Sequence, residues 1–193
     1  MTEKELINGI IAKDRGAITC LVEDYQKKVI KTAYYFLDNM EEAEDLAQEV
    51  FLQILNSMEK FRQGSSLSTW IYRITVNRSL NALKKNKKQE LVLRIENLFG
   101  IRKPGSNGKV GEFAVPDNPL IEEENRKILK VAVDCLPEKQ RTAFILNKYE
   151  ELSYKEIAEV MDTSLSAVES LIHRSKMNLQ KSLARHFSEY IIK

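Results

Sequence analysis

From Thr2 to about Lys88 the apolar residues recur at three- and four-residue spacing, the period of helices buried along one face. This pattern predicts helices over Glu3 to Ala12, Arg15 to Leu37, Glu41 to Met58 and Leu67 to Lys87. One break in it has turn chemistry of its own, the loop Arg62-Gln63-Gly64-Ser65-Ser66. In the third of these helices Leu46, Val50 and Ile54 share a stripe, which leaves Asp45, Gln48, Glu49 and Leu52 on other faces.

The period fails between Glu90 and Pro119. Pro104, Pro116 and Pro119 lie there, as do four of the seven glycines, between Gly100 and Gly111. Turn residues and mixed charge without a sustained period read as a linker. Roughly 30 residues of this kind reach about 100 Å extended and about 30 Å as a coil. A second helical unit is expected from Leu120, with Pro137 at the first position of a helix after Leu136. The predicted fold is all-α: two small helical domains, residues 1–89 and 120–193, joined by a flexible linker over 90–119.

Within the second unit, Leu136 to Leu183 reads as two short amphipathic helices ahead of a longer basic one. Ser153 and Glu156 form a capping-box pair, so a helix is expected to start at Tyr154, with Ile157, Ala158 and Met161 on one face. Asp162-Thr163-Ser164 stops it, and Ser164 can cap the next helix. There Leu165, Val168, Ile172 and Leu179 are predicted to point inward, and Ser166, Glu169, Ser170, His173 and Arg174 outward. Two helices around a tight polar turn make a helix-turn-helix, whose second helix fits a DNA major groove. Its outward residues are short or polar at the start and cationic further on (Arg174, Lys176, Lys181), which suits base edges first and phosphates after. A merely solvated face is the bland alternative.

Composition narrows the function. With 43% hydrophobic residues in 193, either one domain or two can bury a core. Thirty basic residues against 28 acidic leave a net charge of +2, so no global field holds the chain on nucleic acid. Binding must come from local patches, and the charge is segregated. Lys84, Lys85, Lys87 and Lys88 follow Arg73 and Arg78, whereas Glu41, Glu42, Glu44, Asp45 and Glu49 crowd one helix. Cys20 and Cys135 lack metal-ligand spacing and are expected to be buried thiols. With no apolar run near membrane length, this predicts a soluble protein in a reducing compartment, the cytoplasm by default.

The segment Ser68-Thr69-Trp70-Ile71-Tyr72-Arg73-Ile74, leading into Asn77-Arg78, interleaves aromatics with Arg and Asn after a Gly/Ser loop. An exposed ring stacking on a base is worth about 1 to 3 kcal/mol, which offsets the few kcal/mol needed to unstack a nucleotide. Trp70 also fits a core position, at least partly buried. Taken in order, DLAQEVF, STWIYRITVNRSLN, a proline-containing tether, and LPEKQRTAFILNKYEELSYKEIAEVMDTSLSAVESLIHRSKMNLQKSL, the chain resembles bacterial sigma factors of the extracytoplasmic-function (ECF) group. The resemblance covers nearly all of it except the linker.

That resemblance implies a promoter-directing factor with sigma domains 2 and 4, which needs no cofactor and catalyses no reaction. It implies that Asp45, Gln48, Glu49 and Phe51 dock on core RNA polymerase. It implies that the loop from Phe61, with Gly64, Ser65 and Ser66, captures a flipped base at the minus-10 element. Trp70, Tyr72, Arg73, Asn77 and Arg78 would then flank or grip that strand, with Lys84, Lys85, Lys87 and Lys88 on duplex phosphates. It makes Ser166, Glu169, Ser170, His173 and Arg174 candidates for minus-35 base edges, with Arg141, Lys155 and Lys176 towards phosphate. The partners it implies are core polymerase, promoter DNA and an anti-sigma factor, for a chain monomeric when free.

Members of the group often carry a basic residue where Glu169 and Leu171 stand, and Asp where Asn81 stands. Two readings of Glu169 stay open, acceptance from a cytosine amino group or solvation. The first rival function is a stand-alone helix-turn-helix regulator with an N-terminal sensor or dimeriser, which has no use for the aromatic–basic segment. The second is a di-metal enzyme built on the acidic helix, which would need Glu-x-x-His motifs, whereas His173 and His186 are the only histidines.

Overall fold

The computed structural model describes residues 1–61, 64–98 and 128–191, with side chains described at all of these except 87–98 and 185–191. The described residues are helical throughout apart from turns, and they divide into two units, Met1–Glu112 and Phe113–Lys193.

In the first unit, α1 (Glu3–Ile11) starts at a capping box in which Thr2 and Glu5 satisfy each other's backbone amides. Gly9 is required by packing: a Cβ there would stand 2.6 Å from the Cβ of Ala17, so α1 crosses the following helix without a side chain between them. α2 (Arg15–Leu37) is capped by Asp14, whose carboxylate accepts from the Ala17 amide at 2.8 Å. It ends where Asp38 turns left-handed at φ 56°. α3 (Met40–Ser57) is capped by Asn39 and runs into a single 3-10 turn, Met58–Lys60.

α4 begins at Leu67 and continues to Leu98, well past the predicted end at Lys87 and over the start of the predicted linker. Neither Gly nor Pro occurs between Leu67 and Phe99, so nothing local stops it before Gly100. The rest of the predicted linker, 99–119, lies outside the described residues. The core of this unit joins all four helices: Leu6, Ile10, Leu21, Val29, Val50, Ile54, Leu67 and Ile71 are buried in one cluster. Thr75 and Ser79 are buried on α4 as well. Their hydroxyls donate to the carbonyls of Ile71 and Thr75 at 2.9 Å each, so the helix satisfies its own buried polar groups.

The second unit is described from α5 (128–134). α6 (Glu138–Lys148) is preceded by Pro137 as its cap residue, in extended geometry, one place earlier than the first-turn position expected from sequence. α7 (Tyr154–Val160) starts at the predicted capping box: the Glu156 amide donates to Ser153 Oγ, and the Glu156 carboxylate accepts from the Ser153 amide at 2.8 Å. The Ser153 hydroxyl, then its amide, hold the Glu156 carboxyl below its ordinary value.

The turn out of α7 closes with Thr163 N–H on the Ala158 carbonyl at 2.9 Å and Asp162 N–H on that of Glu159 at 3.4 Å, Asp162 itself being left-handed at φ 51°. This is a Schellman closure in which aspartate stands where glycine is usual. α8 (Leu165–Ile191) follows with Ser164 as its cap, accepting from Ala167 N–H at 3.2 Å. Val168, Ile172, Ser175 and Leu179 form its buried stripe, on the side that α6 and α7 cover.

Two sequence expectations fail here. Leu165 is 49% exposed rather than inward, because it is the first residue of α8 and the covered stripe begins only at Val168. Cys135 is exposed and Cys20 half-buried, so neither is a fully buried thiol. At the end of α5 and in the turn that follows, Ala132, Val133 and Leu136 face the core, which leaves Cys135 on the other side.

Candidate nucleic-acid interface

The outward strip of α3 is set by its buried one. Ala43, Leu46, Ala47, Val50 and Ile54 take the core side, so Asp45, Gln48 and Glu49 stand exposed. Phe51, grouped with them from sequence, is half-buried and packs on the core cluster. Leu52, outside the set of docking residues that the resemblance implies, is 61% exposed on the strip of Asp45 and Gln48, and an apolar residue off the buried stripe is the signal for it.

Two rings pair beside the 3-10 turn: Phe61, which follows it, and Trp70, in the first turn of α4, have ring centroids 5.1 Å apart at 50°, both half-buried against the core. Trp70 is therefore partly a core residue, with one neighbour already on its ring. Ser66 caps α4, its Oγ accepting from Thr69 N–H at 3.1 Å, while the Glu3 carboxylate accepts from Leu67 N–H at 3.3 Å. Glu3 was not foreseen as a support for this loop, since the contact joins residues far apart in sequence. Space beside Gly64 is open, and a Cβ there would meet nothing. Gly64 and Ser66 are exposed, Ser65 half-buried.

Along α4, Asn77, Lys84 and Lys85 are exposed and Arg73 is half-buried. Tyr72 is buried, contrary to a role flanking DNA, because Ile71, Tyr72, Ile74 and Thr75 all fall on the side that α2 and α3 cover. Arg78 is held by α3, donating to Gln53 at 2.7 Å and to Glu49 at 2.9 Å. The side chains of Lys87 and Lys88 lie outside the described residues.

On α8, Ser166, Glu169, Ser170, His173, Arg174, Lys176 and Lys181 are all exposed, as the period predicts. Ser166 Oγ lies 3.1 Å from the capping Ser164 Oγ. Lys155 on α7 is exposed too. Arg141 differs from expectation: its side chain is 12% exposed and its guanidinium meets Asp134 at 2.8 Å, so it is spent inside the unit. Next to them burial, then Asp134, raises the Tyr149 phenol above its ordinary value. The face that α8 presents carries no packing duty, and short polar groups precede the cations, an order suited to base edges followed by phosphate. No helix among the described residues is long and apolar enough to cross a membrane.

Comparison with known proteins shows the family. The family model of sigma-70 region 2 matches residues 21–89, and that of sigma-70 region 4 matches residues 126–179. The chain is 32% identical over 187 residues to the ECF RNA polymerase sigma factor SigW of Bacillus subtilis, covering 95% of this chain and 97% of that one. It is 30% identical over 176 residues to the ECF RNA polymerase sigma-E factor of Escherichia coli, covering 91% of each. In fold it is similar to the sigma factor RpoE of Bartonella quintana, solved with the anti-sigma factor NepR, at a TM-score of 0.63 and 20% identity, over 86% of this chain and 96% of that one. An acidic helix, a loop flanked by two rings and a helix with an outward polar and basic face thus occur in a chain that belongs to the ECF sigma factors, which direct RNA polymerase to promoters.

Proposed function

We propose that the division of labour follows the two units, with residues 1–89 acting as sigma domain 2, 90–119 as the linker and 120–193 as sigma domain 4. In the first, the strip of Asp45, Gln48, Glu49 and Leu52 docks on core polymerase; an acidic helix meeting a basic surface is steered electrostatically. The loop from Phe61 to Ser66 receives a flipped base of the minus-10 strand. Trp70, Arg73 and Asn77 flank it, and Lys84, Lys85, Lys87 and Lys88 hold phosphates. In the second, Ser166, Glu169, Ser170, His173 and Arg174 read the minus-35 element, with Lys155 and Lys176 on the backbone.

The observation that carries this reading is the outer face of α8, exposed from Ser166 to Lys176 over a stripe whose core side is closed. One such helix offers two or three base contacts of about 1 to 3 kcal/mol each, too little against genomic competition. Polymerase supplies the rest: holding both units on one enzyme makes the second DNA contact intramolecular, so avidity makes up for a net charge of only +2. An anti-sigma factor is the expected third partner, and the cytoplasm, where promoters are, the expected location.

Run-off transcription tests the reading directly. Core polymerase from the source bacterium, with this chain, should give transcripts that share two spaced upstream elements and vanish without it. Specific duplex binding by the chain alone, with no such transcript, would favour a stand-alone regulator.

A further inference from the structure

Where α3 meets α4, a row of polar contacts runs along the edge of the strip proposed to dock on polymerase. Arg78 spreads its guanidinium between two acceptors on α3, with Nε donating to Gln53 Oε1 at 2.7 Å and Nη1 to Glu49 Oε2 at 2.9 Å. Further along, Asn86 Nδ2 donates to Glu42 Oε2 at 2.9 Å. Glu42, Glu49 and Gln53 stand at i, i+7 and i+11, a single edge of α3. Asp45, Gln48 and Leu52, at i, i+3 and i+7, make the adjoining outward strip.

We infer that Arg78 is a positioning residue for the polymerase-docking face of α3, not a grip on DNA phosphate; the inference rests on the docking role proposed for that face. A guanidinium is a planar fork that can satisfy an amide oxygen and a carboxylate at once in fixed directions, which a lysine ammonium, a single point of charge, does not reproduce. The ion pair is 40% exposed on Arg78 and 62% on Glu49, so it adds little to folding stability. What it fixes is direction. Glu49 and Gln53 are held in one rotamer each, and α3 is pinned in its rotation about its own axis by bonds at both ends of the edge. Asp45, Gln48 and Leu52 are thereby presented in register before polymerase arrives. Glu49, tied to α4 on one side and open on the other, keeps carboxylate lone pairs for a cation on the partner.

The test separates the chemistry of a fork from that of a charge. Labelled full-length Arg78→Lys protein is titrated with purified core polymerase, and open-complex formation is measured on the same holoenzymes at saturating polymerase. The expected result is polymerase affinity weakened about fivefold, the cost of ordering one freed side chain, with open-complex formation at saturation unchanged. Gln53→Met, which keeps the stem and removes the acceptor, should weaken affinity similarly, and the double variant should be no worse than either single one. Arg78→Lys binding polymerase as tightly as the parent, or losing only open complexes, would overturn the assignment and return Arg78 to DNA. Asp45→Ala with Gln48→Ala is run alongside. If that pair lowers affinity while Arg78→Lys does not, the positioning role alone falls. If that pair changes nothing, the docking role of α3 falls and takes the positioning role with it.

Discussion

The two units solve opposite problems with the same element. In the second, the side chains proposed to meet DNA and those that hold the fold are sorted onto opposite faces of α8: Val168, Ile172 and Leu179 inward, Ser166, Glu169, Ser170, His173 and Arg174 outward. In the first, the sorting is incomplete. Phe61 and Trp70 pack on each other and on the core while flanking the loop, Tyr72 is buried, and Arg78 is taken up by α3. Reading base edges in a duplex asks for small polar groups, which a core does not want. Opening a duplex asks for apolar rings, which a core does want. A melting surface therefore shares residues with its own scaffold, and a reading surface need not.

Core and surface changes should break this contrast in graded fashion. Ile172→Ala removes a fully buried side chain from the α8 stripe and should cost about 3 kcal/mol in the second unit. Thermal unfolding would show it, and minus-35 binding should be lost together with the fold. Trp70→Ala should cost about 2 kcal/mol, since the ring is half-buried, and should also reduce open complexes more than closed ones once folded protein is compared at equal amounts. Equal loss at both stages would make Trp70 scaffold alone.

A smaller effect tests the cap of α7, the helix ahead of α8. Ser153→Ala should cost about 1 kcal/mol in thermal unfolding. The carboxyl of Glu156 is held below its ordinary 4.5 by the Ser153 hydroxyl and amide, so its stabilisation is complete above that pH and is lost as pH falls through its lowered native value. Part of the acid sensitivity below pH 4.5 should disappear in Ser153→Ala, which circular dichroism across that range would detect. Smallest in stability, Glu169→Gln should shift unfolding by less than about 0.5 kcal/mol. A changed base preference at one minus-35 position would make Glu169 a reader, and an unchanged preference a solvated residue.

Helix starts were legible in the chain because caps are local. Ser153 with Glu156, and Ser164, each act within three residues, and α2 runs over the span its period predicts. The outward face of α8 was legible for the same reason. What escaped depends on how separate helices pack. The grip of Gln53 and Glu49 on Arg78 follows only once α3 lies along α4, and the burial of Arg141 against Asp134 only once α6 folds on α5. Leu165 shows the limit of periodicity, which gives the direction of a side chain but not where its cover ends.

The hydrogen bond from Leu67 N–H to the Glu3 carboxylate links residues made at different times. Translation adds about 5 to 20 residues per second, so α1 precedes the start of α4 by roughly 3 to 13 s. Leu6, Ile7 and Ile10 must wait through that interval with part of their eventual cover still unmade. The loop proposed to open promoters therefore cannot acquire its second stem until late in synthesis of this unit. A ribosome stalled before Leu67 would carry a nascent chain with apolar helices and no finished loop, a form a chaperone can hold and a protease can cut.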